Sequence, residues 1–154
     1  MVHILFVCLG NICRSPMAEF VMQHLVNEQG LTEQFQIASA ATSTEELGNG
    51  VHHGTREKMA KVGIACRSDK RARQMTRKDY DAYDYLIGMD SQNIRNMQRI
   101  CGGDQQHKIH RLLEYAGETG DIADPWFTGN FDVTYDDILR GCQGLLRKIL
   151  QDMQ

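Results

Sequence analysis

The segment Cys8-Leu9-Gly10-Asn11-Ile12-Cys13-Arg14-Ser15-Pro16 constrains the chain more than any other. It follows residues 3–8, which read as one apolar run of the kind that forms a strand covered on both faces. It precedes a stretch in which Met17, Phe20, Val21 and Leu25 recur at helical spacing. Ser15 is the expected helix N-cap, Pro16 the first helical residue and Gly30 the stop. A buried strand running through a short loop into a helix opens a parallel α/β fold. Cys8 then falls at the carboxyl end of the first strand, where such sheets place their sites.

The rest of the chain alternates in the same way. Residues 36–41, 83–88 and, more weakly, 109–113 read as strands. Helices are expected from about Gly54 to Lys61, from a cap at Asp90 or Ser91 to Gly102, and from Asp132–Thr134 onward. The last carries the stripe Tyr135, Ile138, Cys142, Leu145 and Ile149. Residues 42–54, 65–80 and 114–131 read as connections. The expectation is one three-layer domain over residues 1–154.

Bulk properties exclude several classes. A net charge of -3 leaves nucleic acid without an electrostatic footprint, and no run is long enough to span a membrane. The opening residues lack the basic flank and small-residue cleavage site of a secretion signal. Five cysteines, an odd number, argue against a disulfide framework and for reduced thiols in the cytoplasm.

The loop itself suits a tetrahedral oxyanion. Gly10 is expected to take the unusual backbone angles that turn successive N–H groups into one concavity. The following helix adds free N–H groups and the positive end of its dipole. Arg14 offers a planar fork for two phosphate oxygens. The same field favours a thiolate at Cys8, and Ser15 could donate to it. A phosphate ester also needs its leaving group protonated. Asp124 is the candidate: Pro125 stiffens its loop, and Trp126 and Phe127 supply apolar walls that could stack on a ring.

At these residues the chain resembles the low-molecular-weight protein tyrosine phosphatases. Residues 8–15 match that family's phosphate loop at every position, and Asp124-Pro125 matches its late acid loop. Ser39-Ala40, Arg71-Ala72-Arg73 and Met89-Asp90 also resemble it, so the likeness spans nearly the whole chain. The resemblance implies a four-stranded parallel sheet with helices on both faces, and a two-step reaction without metal or cofactor. Cys8 would be the nucleophile, Arg14 and the amides of Leu9, Gly10, Asn11, Ile12 and Cys13 the phosphate cradle, and Asp124 the acid and base. Asn11, Ser15 and Ser39 would hold the loop's shape, and Cys13 could form a reversible disulfide with Cys8. Phosphotyrosine-containing proteins would be the substrates, inorganic phosphate and other oxyanions inhibitors, and the protein a monomer or weakly self-associating.

Trp126 and Phe127 stand where many members have tyrosines, and three further positions depart from the family. Ala38 stands where Asp is usual, Glu45 where many members place an aromatic pocket wall, and Val62 where some carry a supporting His. Rival readings are arsenate reduction, phosphoarginine hydrolysis and a non-catalytic phosphate-binding module. The first lacks cysteines between Gly88 and Arg99; the second goes with Thr where this chain has Ile12. The third is disfavoured because Cys8 and Asp124 are both present. Neither the His52-His53 nor the His107/His110 pair has a cysteine near it to make a metal site. The basic run Lys70-Arg71-Arg73 with Arg77 and Lys78 reads as solvated surface.

Overall fold

The computed structural model describes residues 1–154. Four strands, β1 (Val2–Cys8), β2 (Phe35–Ala41), β3 (Tyr85–Gly88) and β4 (Ile109–Arg111), form one parallel sheet in the order β2-β1-β3-β4. Six helices surround it: α1 (Arg14–Glu28), α2 (His53–Val62), α3 (Lys78–Ala82), α4 (Ser91–Cys101), α5 (Pro125–Thr128) and α6 (Phe131–Asp152).

β1 is central and fully buried from Ile4 to Val7, so it carries no polar alternation. Its period of two divides the core instead. Ile4, Phe6 and Cys8 face the larger cluster with Met17 and Val21 of α1 and Ile138, Cys142 and Leu145 of α6. Leu5 and Val7 face the smaller one with Met75, Leu86 and, from α4, Met97 and Cys101. The chain leaves β1 for β2 on one side, then crosses to β3 on the other. Cys8 therefore ends the strand at which the winding reverses, and a crevice opens above it.

Several expected boundaries move for physical reasons. Ser15 is not the N-cap of α1; Cys13 holds that position, without a side-chain cap bond, and Ser15 and Pro16 are the second and third helical residues. α1 stops at Glu28, two residues before Gly30, whose positive φ of 71° closes the turn. β3 begins at Tyr85 rather than 83, because a short α3 occupies Lys78–Ala82. Leu112 and Leu113 leave β4 for a 3-10 turn, Leu112–Ala116, that sends both side chains inward. The 114–131 connection contains α5, and Asn130 caps α6 at Phe131. The basic run is not simply solvated: Lys70 is buried with Nζ 2.9 Å from the Ser39 carbonyl, and Arg73 pairs with Asp79 at 3.0 Å. No helix is long and apolar enough to cross a membrane.

Candidate active site

The loop after β1 is held from outside by its carbonyls. Cys8 O accepts from Thr42 N at 2.9 Å, Leu9 O from Ser43 N at 3.1 Å and Ile12 O from His52 N at 2.9 Å. Cys13 O accepts from Met17 N and from the Thr55 hydroxyl, both at 3.2 Å. With these carbonyls turned outward, the amides turn inward. Asn11 N donates to Cys8 Sγ at 3.3 Å, and the amides of Leu9, Gly10, Ile12, Cys13 and Arg14 have no acceptor within the protein. This is an anion nest at a helix N-terminus, with a sulfur at its floor.

The residue that takes the left-handed backbone is not Gly10 but Asn11, at φ 60°. Asn is tolerated there because its side chain bonds locally, and this one is fully used. Its Nδ2 donates to Ser15 Oγ at 2.7 Å and Ser39 Oγ at 3.0 Å, and its Oδ1 accepts from Arg73 N at 3.2 Å. At Gly10 a Cβ would stand 3.3 Å from Glu46 Cγ, a tight approach that a small shift of the Glu46 side chain relieves. Ser15 Oγ accepts from Asn11, and its own proton has two acceptors in reach, Cys8 Sγ at 3.1 Å and the Ala40 carbonyl at 3.4 Å. Ser39 in turn donates to the buried Glu19 carboxylate at 2.6 Å, beside Lys70.

Arg14 is 3% exposed and already partnered. One terminal nitrogen donates to Asp90 Oδ2 at 2.7 Å and to the Ile122 carbonyl at 2.8 Å; the other lies 3.5 Å from Asp124 Oδ2. Burial disfavours its charge, but Cys8, Asp90 and Asp124 outweigh this and hold its pKa above that of a free arginine. Only part of the expected fork therefore remains for an oxyanion, and Asp90 fixes which part. The Asp90 carboxylate does two jobs, since Oδ1 also accepts from Asn93 N at 2.7 Å to cap α4.

Asp124 reaches this crevice from the far end of the chain. Ile122 N binds Met89 O at the end of β3, and the Ala123 carbonyl accepts from the buried Thr134 hydroxyl of α6 at 3.0 Å. Asp124 Oδ1 caps α5 through Trp126 N, leaving Oδ2 toward Arg14. The resulting cavity of about 120 Å³ is lined by Cys8, Leu9, Gly10, Ile12, Cys13 and Arg14 of the loop, with Glu45, Glu46, Asp124, Trp126 and Phe127 at its mouth. Trp126 and Phe127 are 55% and 78% exposed. Neither Glu45 nor Glu46 has a cationic partner within 4 Å. At Cys13, burial, then the negative charge of Cys8 and Asp124, pushes the thiol up to about 12.

Of the site residues singled out in the sequence, Cys8, Leu9, Gly10, Ile12, Cys13, Arg14, Glu45, Asp124, Trp126 and Phe127 line one cavity, while Asn11, Ser15 and Ser39 are buried beneath it and bonded to one another. Asp90, Ile122, Glu46, Glu19 and Lys70 were not anticipated there. Asp90 was legible as a helix cap and, with Met89, as a point of family resemblance, but not as the partner of Arg14. A carbonyl such as that of Ile122 leaves no trace in sequence.

A doubly wound parallel sheet with a thiol-floored nest at its switch point defines a phosphate-loop hydrolase fold. Residues 3–154 match the family described as low molecular weight phosphotyrosine protein phosphatase. The chain is 39% identical to the low molecular weight protein-tyrosine-phosphatase YfkJ of Bacillus subtilis, covering 100% of this chain and 99% of that one. It is also 39% identical to the rat low molecular weight phosphotyrosine protein phosphatase, over 94% of each. The crystal structure of YfkJ superposes with a TM-score of 0.96, covering 100% and 98% of the two chains. A Drosophila arginine phosphatase superposes at 0.86 with 26% identity, covering 97% and 98%. The chain belongs to the low molecular weight phosphotyrosine protein phosphatase family.

Proposed function

We propose that this enzyme hydrolyses phosphotyrosine and other aryl phosphate esters through a phosphocysteine at Cys8. The Cys8 thiolate attacks phosphorus in line with the ester oxygen. As the S–P bond forms, the P–O bond breaks, and its electron pair leaves on the phenolic oxygen, which takes the proton of Asp124. The inward amides and the free part of the Arg14 fork hold the three equatorial oxygens as charge spreads over them. Water then attacks phosphorus and gives a proton back to Asp124. The S–P electron pair returns to sulfur, freeing inorganic phosphate.

The observation that carries this reading is the set of amides without acceptors around Cys8 Sγ, with Arg14 and Asp124 side by side at the same cavity, 3.5 Å apart. Ser15 and Asn11 N, both within hydrogen-bonding reach of the sulfur, stabilise it as an anion and as a leaving group. Ile12 supports an aryl ester over phosphoarginine, because it gives the cavity an apolar wall where a guanidinium would need a polar one. Five free thiols suit a reducing, cytoplasmic setting, with phosphotyrosine proteins as substrates and free oxyanions as competitors. The test is p-nitrophenyl phosphate hydrolysis in EDTA between about pH 4.5 and 8, spanning carboxyl and thiol titration. Wild type turns over and is inhibited by vanadate, whereas Cys8→Ser binds phosphate without turnover. Turnover by the Cys8→Ser protein would overturn the assignment.

A further inference from the structure

Resting on that reading, we propose that His52 is a positioning residue for Asp124, joining the loop that carries the acid to the loop that carries the nucleophile. Its main-chain N–H donates to Ile12 O of the phosphate loop at 2.9 Å. Its ring Nδ1 accepts from Gly54 N at 3.0 Å and so caps α2. The ring then stands edge-on to Trp126, two residues after Asp124, with centroids 5.5 Å apart and planes at 76°. Phe131, at the start of α6, stacks on the same imidazole at 5.5 Å and 18°. His53 stacks on it at 4.3 Å. No other aromatic ring lies against Trp126.

The slot is built for this ring. A Cβ on residue 54 would fall 2.3 Å from the Phe131 ring, so glycine there is what lets Phe131 lie over the start of α2. Trp126 is more than half exposed, and Asp124 itself is tethered to the body of the protein only at Ile122, Ala123 and Arg14. The chain beyond Asp124 therefore meets the phosphate-loop side twice, through Trp126 edge-on to His52 and through Phe131, which stacks on the same imidazole and packs against Ile12 and Cys13; the Trp126 contact is the one nearer the acid. That contact depends on a neutral imidazole. With Nδ1 accepting, the proton sits on Nε2; a second proton would set one N–H against another at Gly54 and release the cap. The groups facing the ring are His53 and Arg56 of α2, Glu46 of the preceding loop and Asp124. Burial first, then His53 and Arg56, keep its pKa below the ordinary imidazole value, so the latch is closed at neutral pH.

Trp126 is the only tryptophan, so its emission reports this contact directly. A protonated imidazole beside an indole quenches it. In wild type the emission should fall on acidification, with a midpoint below the ordinary histidine value of about 6.5. His53→Gln should keep the step and move it upward, having lost a like charge. His52→Asn, which keeps a capping oxygen but no ring, should fold and lack the step. The same variant should lose about two- to ten-fold in kcat/KM for an alkyl phosphate, the range an aromatic pair is worth. For p-nitrophenyl phosphate, whose leaving group needs little acid help, kcat/KM and KM should stay within about two-fold. A quenching step that survives in His52→Asn, or equal losses on both substrates, would overturn the proposal. Asp124→Asn is the control: if it shows no leaving-group dependence, the acid assignment itself fails, while the emission step still tests the contact.

Discussion

Asp90 is the residue whose replacement should reveal most, because one carboxylate serves two donors. Oδ1 caps α4 at Asn93 N and Oδ2 holds Arg14 at 2.7 Å. Asp90→Asn keeps the shape but supplies a single oxygen. Whichever donor that oxygen takes, the amide NH2 confronts the other. A hydrogen bond to a charged group is worth roughly 1.5–3 kcal/mol, and an unsatisfied buried donor costs a similar amount. Arg14 is almost fully buried, while the Asp90 side chain is 22% exposed, so water can relieve part of the loss. We expect roughly 2 kcal/mol of destabilisation, seen in calorimetry as a Tm lower by roughly 4–8 °C for a chain of this size. Catalysis should suffer more. Arg14 rotated by even about 1 Å no longer meets the equatorial oxygens, a displacement that can lower kcat/KM about 100-fold. Asp90→Ser separates the two roles, since it retains a cap acceptor and leaves room for water at Arg14. It should recover much of the Tm and little of the kcat/KM. If Asp90→Asn stays within two-fold of wild type in kcat/KM and within about 1 °C in Tm, Arg14 is held by the Ile122 carbonyl alone and the argument is wrong.

Four other outcomes are expected. Arg14→Lys should lose at least about 100-fold in kcat/KM, because an ammonium cannot bind both Asp90 and an oxyanion in one plane; near-normal rates would place the site elsewhere. Asp124→Asn should slow alkyl phosphates much more than p-nitrophenyl phosphate, measured by kcat/KM for both; equal losses would remove Asp124 as the acid. Cys13, with a pKa raised to about 12, stays a neutral thiol at working pH. Its raised value favours the folded state below the unfolded thiol range and loses that advantage as pH climbs from about 9 toward about 12. Iodoacetate near neutral pH should therefore label the loop once, at Cys8, and leave Cys13, the remaining loop thiol, unlabelled in Cys8→Ser; mass mapping that finds Cys13 labelled first would contradict this. Glu45→Gln and Glu46→Gln remove carboxylates without a cationic partner from the mouth, so each should lower KM for a dianionic substrate by about two-fold, less at high salt.

The comparison of sequence with structure divides along a physical line. Local chemistry was legible. The unbroken apolar run at β1, the stop at Gly102 and the Asp90 cap all follow from rules acting within one or two turns of chain. Ser15 was misplaced as a cap for an instructive reason. Its hydroxyl prefers Asn11 and Cys8, partners the loop supplies only after the backbone has folded over the sulfur. Lys70 was misjudged because a basic run has no signature separating a solvated lysine from one drawn inward by Ser39 and Glu19, 31 and 51 residues away in the chain.

The sequence by itself determined that a strand would deliver Cys8 into a glycine-containing turn before a helix, and that Arg14 would lie within reach of whatever bound there. These are facts of spacing along the chain. Tertiary structure decided the rest: that Asp90 consumes part of the Arg14 guanidinium, that Ile122 and Thr134 bring Asp124 over the nucleophile, and that His52 lies between the two loops. Each of those contacts joins elements far apart in sequence and depends on the angle at which packed layers meet. That angle is set by the summed packing of both cores, which no short stretch of residues encodes alone.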